Sequence, residues 1–432
     1  MKTGRTRTIK VDYLARVEGE GALYIKLKGE QVQDVKLKIF EPPRFFEAFL
    51  RGRMYSEAPD ITARICGICP IAYQMSSSHA MEDAFGVTVG VQLRALRRLI
   101  YCGEWIESHV LHISMLHAPD FLGYADAIQM AKDHPETVQQ ALRLKKTGNE
   151  IVRLLGGREI HPINVRVGGF YKAPTRRALA SLVDDLKWGR DAAIEMVRWT
   201  AALPFPDFER DYEFVALHRE YEYAILNGTI RSSRAGDLAE EDFEKRYLEY
   251  HVPHSNALHS RTVEGRHYIV GPLARFNLNF AQLHPLARQA AEAAGIVPPV
   301  RNPYKALLAR AAETIHAYAV ALEIARVWMP RGPSRAAVTP RSGEGAAATE
   351  APRGLLYHRY RLDAGGLVEE ARIVPPTAQN LARMEDDLRL LAPHVLTLPL
   401  EEATLRCEHL VRAYDPCISC ATHFLTLHVE RV

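Results

Sequence analysis

Two cysteine pairs stand near opposite ends of this 432-residue chain. Cys66 and Cys69 form one C-x-x-C pair, and Cys417 and Cys420 form the other. Two intervening residues let both thiolates of a pair point at the same ion. The two pairs therefore supply four sulfur ligands, enough for a tetrahedral zinc or for nickel. A metal held by both pairs ties together positions separated by most of the chain.

A structural zinc is the plainest interpretation of four cysteines. The pairs of a zinc knuckle, however, normally lie within about twenty residues of each other. The long separation here disfavours a self-contained knuckle. A thioredoxin-like redox site would need only one pair. The remaining Cys102 and Cys407 are single and are predicted to be core thiols.

The composition is that of an ordinary globular protein and argues against several function classes. The 55 basic and 52 acidic residues give a net charge of +3, without the long basic block that a nucleic-acid binder needs. The sequence has no apolar run long enough to predict direct membrane insertion. Its N-terminus also lacks the apolar segment of a secretory signal. Six cysteines in so long a chain do not indicate a disulfide framework. We therefore expect a cytoplasmic protein.

Hydrophobic periodicity predicts the fold class. Alternating residues at 22–28 and 35–39 predict a β-hairpin or small sheet, and helical spacing takes over from about 61 to 130, with one long helix over 91–117. Further helices are predicted at about 136–156, 176–202, 283–294, 303–329 and 377–391. Residues 331–351 predict a loop and 355–373 a short β region. Together they predict one mainly helical (α+β) domain over residues 1–432, with small sheets at its edges.

The wording of the cysteine motifs is more specific than their spacing. R-I-C-G-I-C-P at 64–70 and D-P-C-I-S-C-A-T-H at 415–423 together resemble the two signatures of nickel–iron hydrogenase large subunits. The resemblance implies a Ni-Fe centre whose iron carries CO and cyanide, inside a large helical core. Cys66 and Cys417 are then terminal on nickel, and Cys69 and Cys420 bridge to iron. Related quinone-oxidoreductase subunits lack these cysteines, which argues against that alternative.

The same resemblance implies acid–base residues around the metals. Glu18, in R-V-E-G at 16–19, matches a glutamate that relays protons from a nickel thiolate, although Glu20 stands where family members often have His. Arg353, in A-P-R-G, matches a guanidinium above the open metal position, and Asp415 is its natural partner. Asp120 occupies a similar acidic position, with helix capping as the alternative.

Further matches concern magnesium and cyanide. Glu47 matches a glutamate that ligates structural Mg²⁺, and His423 matches a second ligand, although a hard ion explains the glutamate more easily than the histidine. In V-P-P-T at 374–377, a gapless match puts Pro376 where the family has a hydroxyl that binds cyanide, with Thr377 beside it. Backbone contacts or Thr377 are the expected substitutes.

Two features depart from the family pattern. Tyr73 stands where members commonly have His, and either tunes the metal site or simply packs. Many large subunits are cut by a maturation endopeptidase just after the histidine that matches His423. Residues 424–432 are therefore either a precursor segment or a permanent tail, which could add a strand or bind a partner.

The chain most resembles cytoplasmic, multi-subunit hydrogenases, through I-F-E-P-P-R-F-F-E at 39–47, I-C-P-I-A-Y at 68–73 and S-C-A-T-H at 419–423. This implies an iron–sulfur small subunit and a flavin and iron–sulfur module that uses NAD(P). The chain has no dinucleotide fingerprint and no additional cysteine cluster, so cofactor reduction belongs to other chains. Deazaflavin-coupled and ferredoxin-coupled hydrogenases and a hydrogen sensor remain alternatives, and so does a zinc-stapled scaffold.

Overall fold

The computed structural model describes residues 6–28, 31–40, 45–395 and 397–422. Within these ranges the helices range from single turns to segments of 22 residues. They are α1 Phe46–Leu50, α2 Ala58–Thr62, α3 Pro70–Phe85, α4 Val91–Leu111, α5 Ala118–Leu122, α6 Ala127–Asp133, α7 Pro135–Gly156, α8 Arg176–Ala180, α9 Val183–Ala201, α10 Phe243–Arg246, α11 Pro272–Asn279, α12 Pro285–Ala293, α13 Ala306–Val327, α14 Pro376–Leu391, α15 Leu400–Ala413 and α16 Ile418–Ala421.

Small antiparallel sheets lie among these helices. The strands are β1 Thr6–Val11, β2 Gly21–Lys28, β3 Gln31–Ile39, β4 Val165–Arg166, β5 Gly169–Phe170, β6 Val215–His218, β7 Thr229–Ser232, β8 Gly236–Leu238, β9 Tyr247–Tyr250, β10 His259–Thr262, β11 Gly343–Ala351, β12 Gly354–Leu362 and β13 Val368–Val374. They pair as β1-β2-β3, β4-β5, β6-β7-β8, β9-β10 and β11-β12-β13. The predicted α+β class is confirmed, whereas the single-domain organisation stays a prediction.

The N-terminal sheet follows the alternation seen in the sequence. In β2, Leu23 and Ile25 are fully buried, and in β3, Leu37 and Ile39 are nearly so. Because successive side chains of a strand face opposite sides, this alternation gives the sheet one apolar face. The predicted hairpin is confirmed as β2 and β3, and β1 adds a third strand beside β2.

Four long helices form the centre of the molecule: α4 packs against α7 and α13, and α13 also packs against α9. The helix predicted over 91–117 is confirmed, with its last six residues, His112–His117, in π-helical form. The helix predicted over 303–329 is confirmed as a 3₁₀ turn followed by α13, which ends before Pro330. The helix predicted over 176–202 is instead two helices, α8 and α9.

The prediction of a loop over 331–351 is wrong for its second half, because β11 occupies 343–351 and pairs with β12. Small residues let this strand lie directly against α3. A Cβ at Gly345 would overlap the carbonyl oxygen of Ala80. The glycine- and alanine-rich composition therefore reflects close packing of a buried strand rather than a loop.

Two helices bring the cysteine motifs together. Helix α3, which starts directly after Cys69, packs against β11 and β12. Helix α14 packs against α16, which follows Cys417, and also against β3 and β10. No helix in the described part of the chain is long and apolar enough to cross a membrane.

Candidate metal centre

The four predicted metal cysteines lie together in the interior. Cys66 Sγ lies 3.5 Å from Cys417 Sγ, and Cys69 Sγ lies 3.9 Å from Cys420 Sγ. All four sulfur atoms lie within 4.8 Å of one another, and each residue is at most 7% exposed. Metal–thiolate bonds of about 2.3 Å allow one ion to reach sulfurs at this spacing. Each close contact joins one motif to the other.

Local backbone features aim the first pair inward. Cys69 occupies the N-cap of α3, and Pro70 follows at the first helical position, where the N–H that proline lacks would have no helical partner. The backbone N–H groups of Ile68 and Cys69 donate to Cys66 Sγ at 3.4 and 3.3 Å. Cys417 likewise occupies the N-cap of α16. In each motif, one cysteine is thus the last residue before a helix begins.

Four thiols this close cannot all ionise without a cation among them. The neighbouring Cys417 thiol holds the pKa of Cys66 well below its usual range, whereas burial raises the pKa of Cys417 well above its own. A soft metal ion removes this conflict because it binds all four sulfurs as thiolates. The donor set therefore fits a thiolate-bound nickel centre.

Glu18 lies beside the second cysteine motif. Its Oε2 accepts hydrogen bonds from Cys417 Sγ at 3.1 Å and from the Ser419 N–H at 3.0 Å. The Glu18 carbonyl also accepts from the Ile418 N–H at 2.8 Å. Glu18 and Cys417 thus form an isolated parallel β-bridge. A half-buried carboxylate is thereby held against one sulfur of the cluster.

Arg353 and Asp415 form a buried ion pair. Arg353 Nε donates to the Asp415 carbonyl at 2.9 Å, and Nη2 donates to Asp415 Oδ1 at 3.1 Å. Burial disfavours the charge of Arg353, but Asp415 and the nearby sulfurs raise its pKa well above the usual value. Asp415 has a φ of +53°, a left-handed conformation that aspartate tolerates better than most residues. Asp415 follows Tyr414, the C-cap residue of α15.

Thr377 contacts the same motif from the first turn of α14. Its Oγ1 accepts a hydrogen bond from the Cys417 N–H at 2.9 Å, and the residue is 2% exposed. A hydroxyl that accepts one hydrogen bond still has a proton to donate. Pro376 precedes it at the first helical position and has neither a hydroxyl nor an N–H.

Comparisons with known proteins agree on one family. The family model described as nickel-dependent hydrogenase matches residues 44–141 and 258–423. Sulfhydrogenase 1 subunit alpha of Pyrococcus furiosus is 34% identical over 427 residues, which cover 97% of this chain and 98% of that one. The chain belongs to the nickel-dependent hydrogenase family. It is a catalytic hydrogenase subunit, and the multi-subunit relatives imply a small-subunit partner.

Other comparisons extend this result. The NAD-reducing hydrogenase HoxS subunit beta of Cupriavidus necator is 27% identical, covering 97% of this chain and 95% of the relative. A solved NAD⁺-reducing [NiFe]-hydrogenase in the H2-reduced state superposes with a TM-score of 0.86 at 25% identity, covering 96% and 99% of the two chains. The Ni-Fe-Se hydrogenase of Desulfomicrobium baculatum shares the fold, with a TM-score of 0.77 at 23% identity and coverage of 96% and 100%.

In this hydrogenase, the Glu47 side chain binds the backbone of β13. Its Oε1 accepts the Ile373 N–H at 2.7 Å. Glu47 and Cys420 both line a cavity of 430 Å³, which Thr422 also lines. His423 and the tail 424–432 lie outside the described residues. The cavity therefore reaches Thr422, the last described residue, which precedes the predicted magnesium ligand His423 in the sequence.

Asp120 is held by two arginines. Arg412 binds both carboxylate oxygens at 2.7 Å, and Arg16 Nη2 lies 2.5 Å from Oδ1. Burial favours the protonated form, but Arg412 holds the pKa of Asp120 below its usual value. His117 rather than Asp120 occupies the N-cap of α5. Asp120 thus links the N-terminal segment to α15, the helix that leads into the second cysteine motif.

Tyr73 lies in the first turn of α3 and is 1% exposed. Its hydroxyl has no hydrogen-bond partner among the described residues, contrary to the general expectation for a buried tyrosine. Burial raises its pKa well above the usual value, and the nearby cysteines act in the same direction. The ring lies 5.8 Å from that of His358. Tuning of the metal site and simple packing both stay as alternative predictions for Tyr73.

Arg310 was not identified from the sequence. Its Nη2 lies 3.9 Å from Asp415 Oδ2, and its Nη1 donates to the Ala413 carbonyl at 3.3 Å. Burial lowers the pKa of Arg310 to about 10. The available signal was a charged residue inside α13, a helix that is apolar on nearly every side. A charge in such a helix needs a buried partner.

Proposed function

We propose that this catalytic subunit would hold a nickel–iron centre through four thiolates, with Cys66 and Cys417 as ligands of nickel alone and Cys69 and Cys420 as ligands shared with iron. The sulfur contacts group the cysteines into the same two pairs, because Cys66 Sγ and Cys417 Sγ are neighbours at 3.5 Å, and Cys69 Sγ and Cys420 Sγ at 3.9 Å. When bound, the centre, with CO and cyanide on its iron, supplies the heterolytic cleavage of H2 into protons and electrons.

Glu18 is the proposed proton acceptor, and its contact with Cys417 carries the proposal. The hydrogen bond between Cys417 Sγ and Glu18 Oε2 is short enough for direct proton transfer. The Ser419 N–H stabilises the ionised carboxylate through a charge-assisted hydrogen bond. Glu18 therefore takes the proton from the sulfur and passes it outward. The reverse path delivers protons for H2 formation.

Arg353 is proposed to stabilise negative charge that develops beside the sulfurs. Its guanidinium stays charged, and Asp415 fixes its orientation through two hydrogen bonds. A donor fixed before the reaction costs no reorganisation during it. Arg310 lies at the other oxygen of Asp415 and positions that carboxylate. Asp120, through Arg412, is proposed to position the chain that leads to the second motif.

Thr377 is the proposed hydrogen-bond donor to a cyanide of the iron. Its hydroxyl accepts from the Cys417 N–H and retains its own proton. Pro376 can offer only packing at this position, because it has no donor. Substituting valine for Thr377 should shift the cyanide stretching bands while the metals remain bound.

Glu47 and His423 are proposed to hold Mg²⁺ near the second cysteine motif. The support is the cavity that Glu47 shares with Cys420 and Thr422. A carboxylate suits a hard ion that prefers oxygen ligands. If a maturation endopeptidase removes 424–432, His423 becomes the chain terminus. Its ligand role then depends on that cleavage.

The proposed partners are an iron–sulfur small subunit and flavin and iron–sulfur subunits that react with NAD(P). The names of two relatives, both NAD-reducing hydrogenases, support the NAD(P) link. Coupling to a deazaflavin or ferredoxin, and hydrogen sensing, are the alternatives. Identifying the subunits that co-purify and the acceptor that is reduced under H2 separates them. The cytoplasmic location stays a prediction.

A substitution at Glu18 tests the proposed function. In the purified complex, Glu18→Gln keeps the shape of the side chain but removes its proton-carrying carboxylate. We expect nickel, iron and the infrared bands of CO and cyanide to remain, while H/D exchange falls by about 100-fold or more. Glu20→Gln is the matched control, because Glu20 is exposed two residues away. Unaltered H/D exchange in Glu18→Gln would refute the relay.

The same preparations test the centre itself. Nickel and iron in equal amounts, together with infrared bands of CO and cyanide, are expected from the unsubstituted complex. Zinc in place of nickel, without those bands, would refute the proposed centre and favour a zinc-stapled scaffold.

A further inference from the structure

Two histidines and one glutamate form a second cluster, away from the cysteines. His254 lies between β9 and β10, His259 is the first residue of β10, and Glu385 lies on α14. His254 Nε2 lies 2.7 Å from Glu385 Oε1, and His259 Nε2 lies 3.5 Å from Glu385 Oε2. One possible ligand atom from each residue lies within 4.8 Å of the others. The side chains are 16%, 1% and 15% exposed.

His259 has an unusual environment for a buried histidine. Neither of its ring nitrogens has a hydrogen-bond partner among the described residues. A buried polar group without a partner is destabilising, and such groups are rare in native proteins. Its Nε2 faces the Glu385 carboxylate at a separation too long for a good hydrogen bond. An ion bound between them would satisfy both groups.

The spacing suits a transition-metal ion. Bonds of about 2.0 to 2.2 Å from one ion to imidazole nitrogen and carboxylate oxygen separate the two ligand atoms by about 3 to 3.5 Å. The contact between His259 and Glu385 already has this length. The contact between His254 and Glu385 is a hydrogen bond that would lengthen slightly on binding. The Leu37 N–H also donates to Glu385 Oε1 at 2.8 Å, as outer partners of metal-binding carboxylates commonly do.

The charge around Glu385 is also available to a cation. Among the described residues, no lysine or arginine lies within ion-pair distance of Glu385, whose ion-pair contacts are the two histidines. A similar group, His117, Asp120 and His409, differs in this respect. There, Asp120 is already neutralised by two arginines, which disfavour a further cation. The cluster at Glu385 is therefore the better candidate.

We propose that His254, His259 and Glu385 bind one divalent transition-metal ion, with Zn²⁺ as the expected occupant. Two imidazoles and one carboxylate form a ligand set that zinc accepts with water at its fourth position. This site is separate from the thiolate centre and from the proposed magnesium ligands, and it does not depend on the proposed function.

The location of the site indicates a structural role. Glu385 lies eight residues, or about 12 Å, along the helix from Thr377. Between the two histidines, Ala257 bridges to Thr422, just after the second cysteine motif. The Asn256 N–H donates to the Ile39 carbonyl at 2.7 Å. An ion at Glu385 would thus clamp this loop, β3 and α14 beside Thr422.

Metal analysis of the purified holoenzyme tests the proposal. After incubation with ZnCl2 and removal of loosely bound metal, we expect one zinc per chain beyond nickel and iron. His259→Gln and Glu385→Gln should lose it, with zinc affinity at least about 100-fold weaker. Asp386→Asn is the matched control, because Asp386 is the next residue on the helix and also pairs with a histidine, His267. The control should retain zinc.

A second measurement covers variants that fail to fold. His254→Gln changes the most exposed of the three ligands and should fold. In unsubstituted enzyme, Zn²⁺ should raise the unfolding temperature and Co²⁺ should give visible absorption typical of nitrogen and oxygen ligands. Both effects should be lost in His254→Gln. Absence of extra zinc in the unsubstituted enzyme, or equal zinc in His254→Gln and the control, would overturn the proposal.

Discussion

Replacing Arg275 with lysine should destabilise this hydrogenase subunit by several kcal/mol. Arg275 is fully buried in α11, and all five of its N–H groups are used. Two donate to Glu313 at 2.8 Å, and one donates to Glu350 at 2.9 Å. The other two donate to the carbonyls of Ala351 and Pro352 at 2.8 and 2.9 Å. They hold the segment that ends in the proposed catalytic arginine.

The magnitude follows from counting acceptors. Lysine has three N–H groups, so at least two of the five buried hydrogen bonds are lost. Each lost hydrogen bond costs about 1–3 kcal/mol, which lowers the free energy of unfolding by about 2–6 kcal/mol. For 432 residues, an unfolding entropy of about 2.1 cal/mol/K per residue amounts to roughly 0.9 kcal/mol/K. The unfolding temperature should therefore fall by about 2–7 °C.

Scanning calorimetry of the purified complex measures this shift. Arg406→Lys is the control, because Arg406 is 57% exposed and forms an ion pair with Glu402 across the helix surface. Arg406→Lys should lower the free energy of unfolding by less than about 1 kcal/mol, and the unfolding temperature by no more than about 1 °C. Arg275→Lys should also reduce H2 turnover at unchanged metal content. Equal unfolding temperatures for the two variants would refute the argument from buried acceptors.

Three further predictions concern the centre and pH. Cys420→Ser should abolish nickel binding and H2 turnover, whereas Cys102→Ser should keep both; full activity in Cys420→Ser would exclude it as a ligand. Arg353→Lys should keep the metals but slow turnover by about 100-fold or more, and unchanged turnover would remove it from the mechanism. Burial lowers the pKa of His79 and His109 to about 4, below the unfolded value near 6.5. Their stabilising contribution, present above pH 6.5, should therefore be lost as pH falls toward 4, and a flat unfolding temperature over that window would contradict it.

Much of the fold could be predicted from local patterns. Alternation gave β2 and β3, and helical spacing gave α4, α7 and α13 nearly in full, because side-chain period and secondary structure are directly coupled. The strand at 343–351 was missed because glycine and alanine carry little periodic signal. Its identity depends on contact with α3, where Gly345 leaves no room for a side chain.

By itself, the sequence determined the family and the proposed set of metal ligands. Four cysteines in two specific motifs, with Glu18 and Arg353 in theirs, specify thiolate chemistry and an acid–base environment wherever the chain brings them together. Each motif consists of residues a few positions apart, and such spacing can be read directly from the sequence.

Only the tertiary structure decided which residues meet. It paired Cys66 with Cys417, held Asp120 between Arg16 and Arg412, and put Arg310 beside the Asp415 carboxylate. It also gathered His254, His259 and Glu385 from positions that no motif connects. Such contacts join residues far apart in sequence, and they exist only because packed helices and strands fix the distances between them.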